Sequence, residues 1–329
     1  MPHEPAADRY DTMQYRACGR SGLRLPAISL GAWETFGGYR GEDIARACLL
    51  RAFDLGITHF DFANNYGTPP GNAEVVCGRI LRELPRDELI LSSKAGFRMW
   101  PGPYGEGGSR KYLISSCDQS LRRMGIEYFD IFYSHCPDPG TPVEETLGAL
   151  EQLVRQGKAL YAGLSNYGGE ALDAALAAQA ARGGAALVAL QPSYSLLNRG
   201  FETELLPRTQ RAGLGVVAYC PLASGLLTDK YLGGEVPAGS RASEKWGEAW
   251  VRQSLTPERR LVLHELSDLA RARGQSLAQM ALAWVLRLPA VTTALIGASS
   301  VPQLEENVAS LRHASFSVEE LRRIQELTA

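Results

Sequence analysis

Asp61, Tyr66, Lys94 and His135 are the residues of this chain whose types and placement could move a proton. Asp61 and Tyr66 stand in HFDFANNYGTPPGNAE, residues 59–74. There an apolar run with Ile57, Phe60 and Phe62 suits a sheet core, and Gly67, Pro69, Pro70 and Gly71 break it into a loop. Lys94 ends the run ELILSSK, and His135 follows YFDIFYS. Each alone has a plain structural explanation: an Asx-type turn with a packing tyrosine, a solvated lysine, a hydrogen-bonded histidine. All of them beside apolar strands are better explained by one shared pocket. A phenol, with a pKa of about 10, is a poor proton donor at neutral pH, and a neighbouring ammonium is expected to stabilise the phenolate and lower that value. Asp61 is expected to hold Lys94 by an ion pair, and His135 to hydrogen-bond a substrate oxygen. The set suits protonating an oxygen that becomes an alkoxide as hydride is delivered, or the reverse reaction. One histidine and one carboxylate are too few ligands for a metal. Asn64 and Asn65 are left as turn formers or pocket lining.

Such residues meet only if the strands carrying them run side by side. Short apolar or β-branched runs fall at 26–32, 57–62, 88–94, 128–134, 159–164, 187–191, 215–219 and 291–297. Helical periodicity fills the gaps at 42–55, 72–84, 111–124, 142–156, 169–181, 202–212, 258–273, 276–287 and 302–312. Strand followed by helix throughout predicts an α/β fold, a closed (β/α)8 TIM barrel over residues 14–329, with 1–13 a disordered tail. A doubly wound dinucleotide-binding sheet would want GxGxxG after an early strand; GLGVVA at 213–218 precedes a strand instead. YRACGRSGLRLP reads as a hairpin able to plug the barrel's bottom. Two long loops, 97–110 and 221–256, follow strand ends at the face where barrel enzymes carry their sites. Ser165, Asn166, Gln191 and Tyr219 are further polar strand ends on that face, as are Cys136 and Cys220.

Composition narrows the partner. The chain has 329 residues, 45% of them hydrophobic, with 34 basic against 36 acidic residues. That is enough for a large core, and no single-sign block points to nucleic acid or an anionic membrane. No run approaches the ~18 apolar residues of a membrane span, and the polar N-terminus lacks a signal core, so a cytoplasmic protein is expected. The six cysteines form no CxxC pattern.

FDFANNYG, LSSKAG and FYSHC resemble the catalytic segments of the aldo-keto reductase superfamily. GKALYAGLSNY, LQPSYSLLNR, YCPLASGLLTDKY and LIGASSVPQLEEN resemble its cofactor segments. NNYGTPPGNAE, WPGPYGEGGSRKYL and RASEKWGE are similar to the branch that holds bacterial L-glyceraldehyde 3-phosphate reductases and potassium-channel β subunits. The resemblance implies an NADPH-dependent carbonyl reductase with Tyr66 as general acid/base, Lys94 and Asp61 as its tuners and His135 as orienter of the carbonyl. It implies NADPH/NADP+ contacts from Trp33, Ser165, Asn166, Gln191 and Tyr219; from Pro221, Leu222, Ser224, Gly225, Leu226, Lys230 and Arg241; and from Gly297, Ser299, Gln303, Glu306 and Asn307. GAS before a helix would offer free N–H groups to phosphate. A small-molecule carbonyl substrate and, by analogy, a homo-oligomer are also implied.

Substrate selectivity is expected from 97–110 and the far part of 221–256, since the long C-terminal loop that many relatives use is not expected after the last helix. Trp33, Met99, Trp100 and Tyr104 are candidates for an apolar wall. Arg110 and Lys111 stand either as phosphate ligands or as surface charges. Cys136 after the histidine and SNY in place of SSY depart from the reductase pattern. The rival reading is a cofactor-binding regulatory subunit; those subunits carry Asn where this chain has His135, which favours an enzyme.

Overall fold

The computed structural model describes residues 3–233, 236, 242–243 and 247–328. Its strands are β1 (Tyr15–Ala17), β2 (Arg24–Pro26), β3 (Ile28–Gly31), β4 (His59–Asp61), β5 (Ile90–Ala95), β6 (Phe129–Ser134), β7 (Ala159–Ser165), β8 (Leu187–Gln191), β9 (Gly215–Tyr219) and β10 (Val291–Ile296). β3 to β10 pair in parallel and in sequence, and β10 closes on β3, giving the eight-stranded barrel the sequence predicts. Its helices are α1 (Glu42–Asp54), α2 (Asn72–Leu81), α3 (Arg110–Met124), α4 (Val143–Arg155), α5 (Gly169–Arg182), α6 (Gly200–Glu204) and α7 (Leu206–Ala212). They continue with α8 (Gly247–Ser254), α9 (Pro257–Ala272), α10 (Leu277–Leu286), α11 (Val301–Val308) and α12 (Val318–Thr328). None of the described helices is long and apolar enough to cross a membrane.

Alternation decides which residues face inward, because successive side chains of a strand point to opposite sides. On β4, His59 and Asp61 point into the barrel, while Phe60 joins the core between sheet and helices. On β5, Ser92 and Lys94 meet Asp61 inside, and Ser93 faces out to Glu74 of α2. Parallel register then sets Asp61 beside Ser92, Lys94 beside Tyr133 and Ser165 beside Gln191. Local signals stop and start the helices: Ser109 caps α3 by accepting from Tyr112 N, and Gly125 ends it at φ 65°. A reciprocal Ser276–Gln279 capping box opens α10.

The hairpin β1–β2 does close the bottom. Cys18, Leu23 and Leu25 pack with Ile131, Tyr133, Val217 and Leu295 from the barrel interior. Gly215 is needed there, since any side chain on it would run into Cys18.

Several expectations are corrected. The segment 202–212 divides into α6 and α7, with Pro207 opening the second, where its missing N–H costs nothing. The segment 302–312 ends as a tighter 3-10 turn over Ala309–His313. The expected loop 221–256 contains α8 and short 3-10 turns at Ala223–Gly225 and Asp229–Tyr231. Residues 3–13 do not hang free as a tail: His3 Nε2 lies 3.0 Å from Asp54 Oδ1, Arg9 pairs with Glu88 at 2.7 Å, and Met13 is buried.

Candidate active site

Lys94 and Asp61 form a contact ion pair with both side chains almost fully buried. Lys94 Nζ also donates to Phe62 O at 2.8 Å. The other carboxylate oxygen of Asp61 accepts from Ser92 Oγ at 2.6 Å and Gln191 Nε2 at 3.1 Å. Removing one member of such a pair would leave an uncompensated buried charge, at about 3–5 kcal/mol.

Tyr66 stands on the turn after β4. Its carbonyl accepts from Gly71 N at 3.0 Å and Ala73 N at 3.2 Å, which ties the turn to the start of α2. Lys94 Nζ lies 5.2 Å from the centre of the Tyr66 ring, and the His135 ring meets Tyr66 edge-on at 5.9 Å. Phe97 packs edge-on against His135 at 4.6 Å. His135 Nδ1 is buried without a hydrogen-bond partner.

The electrostatics correct one expectation. The Tyr66 phenol is not lowered by Lys94; it is raised well above its ordinary value by burial first, then by Asp61, Cys220 and Tyr219. The ammonium is paired with the Asp61 carboxylate, whose own charge raises the phenol. Burial pulls the Lys94 ammonium down, opposed by Asp61. Burial, aided by Lys94, holds His135 well below the ordinary imidazole value, so it is neutral.

These groups open on a cavity of about 340 Å³. Asp61, Tyr66, His135, Ser165, Asn166, Gln191, Tyr219 and Trp33 line it, followed by Pro221, Leu222, Ser224, Gly225, Lys230, Gly297, Ser299 and Gln303. Asn166, at φ 60°, donates to His135 O at 2.9 Å and accepts from Tyr219 OH at 2.6 Å. Ser165 Oγ donates to Gln191 O at 3.0 Å, and Ser299 N and Oγ both turn to Gln303 Oε1, at 2.9 and 3.1 Å. A dinucleotide fits this donor set: strand-end amides and an aromatic ring near Tyr66, then Lys230 and the N-terminus of α11. The unpartnered buried nitrogen His135 Nδ1, at the cavity wall, agrees with it.

Other predicted residues do not gather there. Lys94 lies behind Asp61 and Tyr66, away from the cavity wall. Leu226 is buried in the core, and Glu306 and Asn307 lie further along α11, outside the cavity. Arg241 falls outside the described residues. Met99 and Trp100 do not line the cavity: Trp100 tilts onto Tyr112 at 5.5 Å, and the Met99 methyl packs over Gly71. Arg110 lies over α4, its guanidinium donating to Gly148 O at 3.3 Å, and does not line the cavity. The wall is instead Phe97 and Trp33, with Thr35, Tyr39, Asn65, Cys220 and Thr228. Phe97 is the residue directly after LSSKAG, and Thr35 and Tyr39 follow the first strand, so proximity to a strand end was the available signal. Asn64 has a part too: its Nδ2 donates to Tyr112 OH at 2.9 Å, which donates to Phe97 O at 2.7 Å. Among the described residues, no three His, Cys, Asp or Glu side chains cluster as metal ligands.

Residues 27–329 match the model of the Aldo/keto reductase family. The chain is 52% identical over 325 residues to the L-glyceraldehyde 3-phosphate reductase of Escherichia coli K12, covering 97% of this chain and 93% of that one. It is 38% identical over 326 residues to a Schizosaccharomyces pombe protein named as a voltage-gated potassium channel β subunit, covering 95% and 92%. An Arabidopsis thaliana protein named likewise is 35% identical over 299 residues, covering 90% of each chain. With the closed barrel and the strand-end residues in order, these matches make the chain a member of the aldo/keto reductase family, an oxidoreductase.

Proposed function

We propose that this protein reduces a small aldehyde or ketone to the alcohol with NADPH, with L-glyceraldehyde 3-phosphate as the first substrate to test and methylglyoxal next. The observation that carries the reading is the convergence of Asp61, the Tyr66 phenol and a neutral His135 on one cavity, with Lys94 paired to Asp61 behind them. When bound, the dinucleotide supplies a hydride to the carbonyl carbon. Tyr66 gives its proton to the carbonyl oxygen, and the phenolate left behind is stabilised by the Lys94 ammonium over its ring. His135 orients the carbonyl by donating a hydrogen bond from a neutral ring. Ser165, Asn166 and Gln191 would hold the carboxamide, and Tyr219 would pack beside the nicotinamide. Lys230 and the 221–226 turn would cover the phosphates, and Ser299 and Gln303 would meet the adenosine end. The 52% identity to the Escherichia coli reductase supports the choice of first substrate.

NADPH oxidation measured against L-glyceraldehyde 3-phosphate, methylglyoxal and an aromatic aldehyde tests this. Tyr66→Phe is expected to lower kcat roughly a hundred- to ten-thousandfold, with NADPH affinity kept within about twofold. Unchanged turnover in Tyr66→Phe would overturn the mechanism. Tight NADPH binding with no carbonyl reduced would transfer the site to a regulatory role, as the names of the channel-subunit relatives suggest.

A further inference from the structure

Beneath Asp61 the barrel holds polar groups that touch no part of the cavity. His59, Ser29, Ser92 and Thr293 are fully buried, on β4, β3, β5 and β10. Thr293 Oγ1 lies 2.6 Å from Ser29 Oγ, and Ser29 Oγ lies 2.9 Å from His59 Nδ1. His59 Nε2 lies 3.0 Å from Ser92 Oγ, which donates to Asp61 Oδ1 at 2.6 Å. Apolar side chains would fill this layer at less desolvation cost, so a continuous polar path calls for a reason.

The direction of every bond follows from the far end. Asp61, in contact with the Lys94 ammonium, is a carboxylate and only accepts. Ser92 therefore gives its single hydrogen to Asp61 and must accept from His59 Nε2. A neutral imidazole with its proton on Nε2 accepts at Nδ1. Ser29 then donates to Nδ1 and accepts from Thr293. Burial pushes the His59 imidazole down to about 4, with Asp61 opposing and Lys94 assisting, which keeps one ring nitrogen bare at neutral pH.

We propose that Thr293, Ser29, His59 and Ser92 form a one-way chain of donors that fixes and polarises Asp61 against Lys94, making His59 a positioning residue for proton delivery by Tyr66. The role in proton delivery rests on the reductase reading above; the direction of the chain does not. NMR of the protein carrying 15N-labelled histidine tests the direction without any turnover. The Nε2–H tautomer of His59 at neutral pH is the expected result, and an Nδ1–H tautomer or an imidazolium overturns the proposal.

Substitution tests the role. His59→Gln sets an amide nitrogen near the Nε2 position, whereas His59→Asn sets one near Nδ1. His59→Gln is expected to keep kcat within about twofold, while His59→Asn and Ser92→Ala each lose about tenfold, with KM and NADPH affinity within about twofold. Because the two residues act in series, His59→Asn in the Ser92→Ala background adds no further loss. Equal losses in the Gln and Asn variants, or losses that multiply in the double variant, overturn the positioning role. Should these variants fail to bind NADPH, the tautomer of the wild-type protein decides. If the wild type reduces no carbonyl, the reductase reading fails while the NMR result still decides the direction.

Discussion

Tyr66 keeps its proton because burial, Asp61, Cys220 and Tyr219 all raise its pKa. A donor of this kind is present in its active form at every pH where the protein is handled, and its acid strength is drawn out only as the alkoxide forms. His135 is held neutral over the same range. Its depressed pKa means that protonation does not begin at the ordinary value of about 6.5. The kcat/KM for reduction is therefore expected to stay level from about pH 8 down to about pH 6. An acid limb with the ordinary histidine pKa in that profile would contradict the assignment. At this scale the sequence was generous with identities and silent on fields. Asp61, Tyr66, Lys94 and His135 could be read because polar groups beside apolar strands are rare, but the sign of the shift on Tyr66 depends on how much of the ammonium's charge Asp61 cancels. That balance is set by the distances among the three side chains in the folded protein. Asn64 was illegible for a related reason: its partner Tyr112 is brought to it by the packing of α3.

The loop 97–109 is positioned by two clasps. One is the Asn64–Tyr112–Phe97 relay that sets Phe97 against His135. The other is Asp138, whose carboxylate accepts from Gly108 N at 2.7 Å, Thr141 Oγ1 at 2.7 Å and Gly140 N at 2.9 Å, joining this loop to the one after β6. Asp138→Ala is expected to raise KM for the carbonyl substrate about fivefold, with NADPH affinity unchanged, as judged by steady-state kinetics and a cofactor titration. A second element contact is structural. The buried Glu74 of α2 accepts from Ser93 Oγ at 2.6 Å and pairs with Arg123 of α3 at 2.7 Å. Glu74→Ala is expected to cost about 3–5 kcal/mol in denaturant unfolding, since it strands Arg123. Periodicity located the strands and nearly all the helices, because alternation and the 3.6-residue repeat are local properties. Loop side chains carry no such repeat. Met99, Trp100 and Arg110 were reasonable wall and phosphate candidates by type, and the structure turns them to anchors and to α4.

Across the whole molecule, burial of imidazoles links folding to pH. The folded-state pKa of His59, about 4, lies below that of a histidine in an unfolded chain. The unfolded state thus binds the proton first, so this contribution to stability is complete above about pH 6.5 and is lost as pH falls toward 4. From His59 alone the loss between about pH 7 and pH 5 is about 2 kcal/mol. Denaturant unfolding at the two pH values measures it, and His59→Gln is expected to remove this share. The closed order of eight strands was legible from strand–helix alternation, whereas the layer of polar groups beneath Asp61 was not, because it joins β10, β3, β4 and β5 through register.

The hairpin β1–β2 turns the barrel into a vessel with a floor. With Cys18, Leu23 and Leu25 packed against the interior side chains, the floor is filled, and the cavity beside Tyr66 lies at the strands' C-terminal ends, against Ser165, Gln191 and Tyr219. For the dinucleotide and carbonyl substrate proposed above, that face would be a shared doorway, and product-inhibition kinetics would read the order in which the two pass through it.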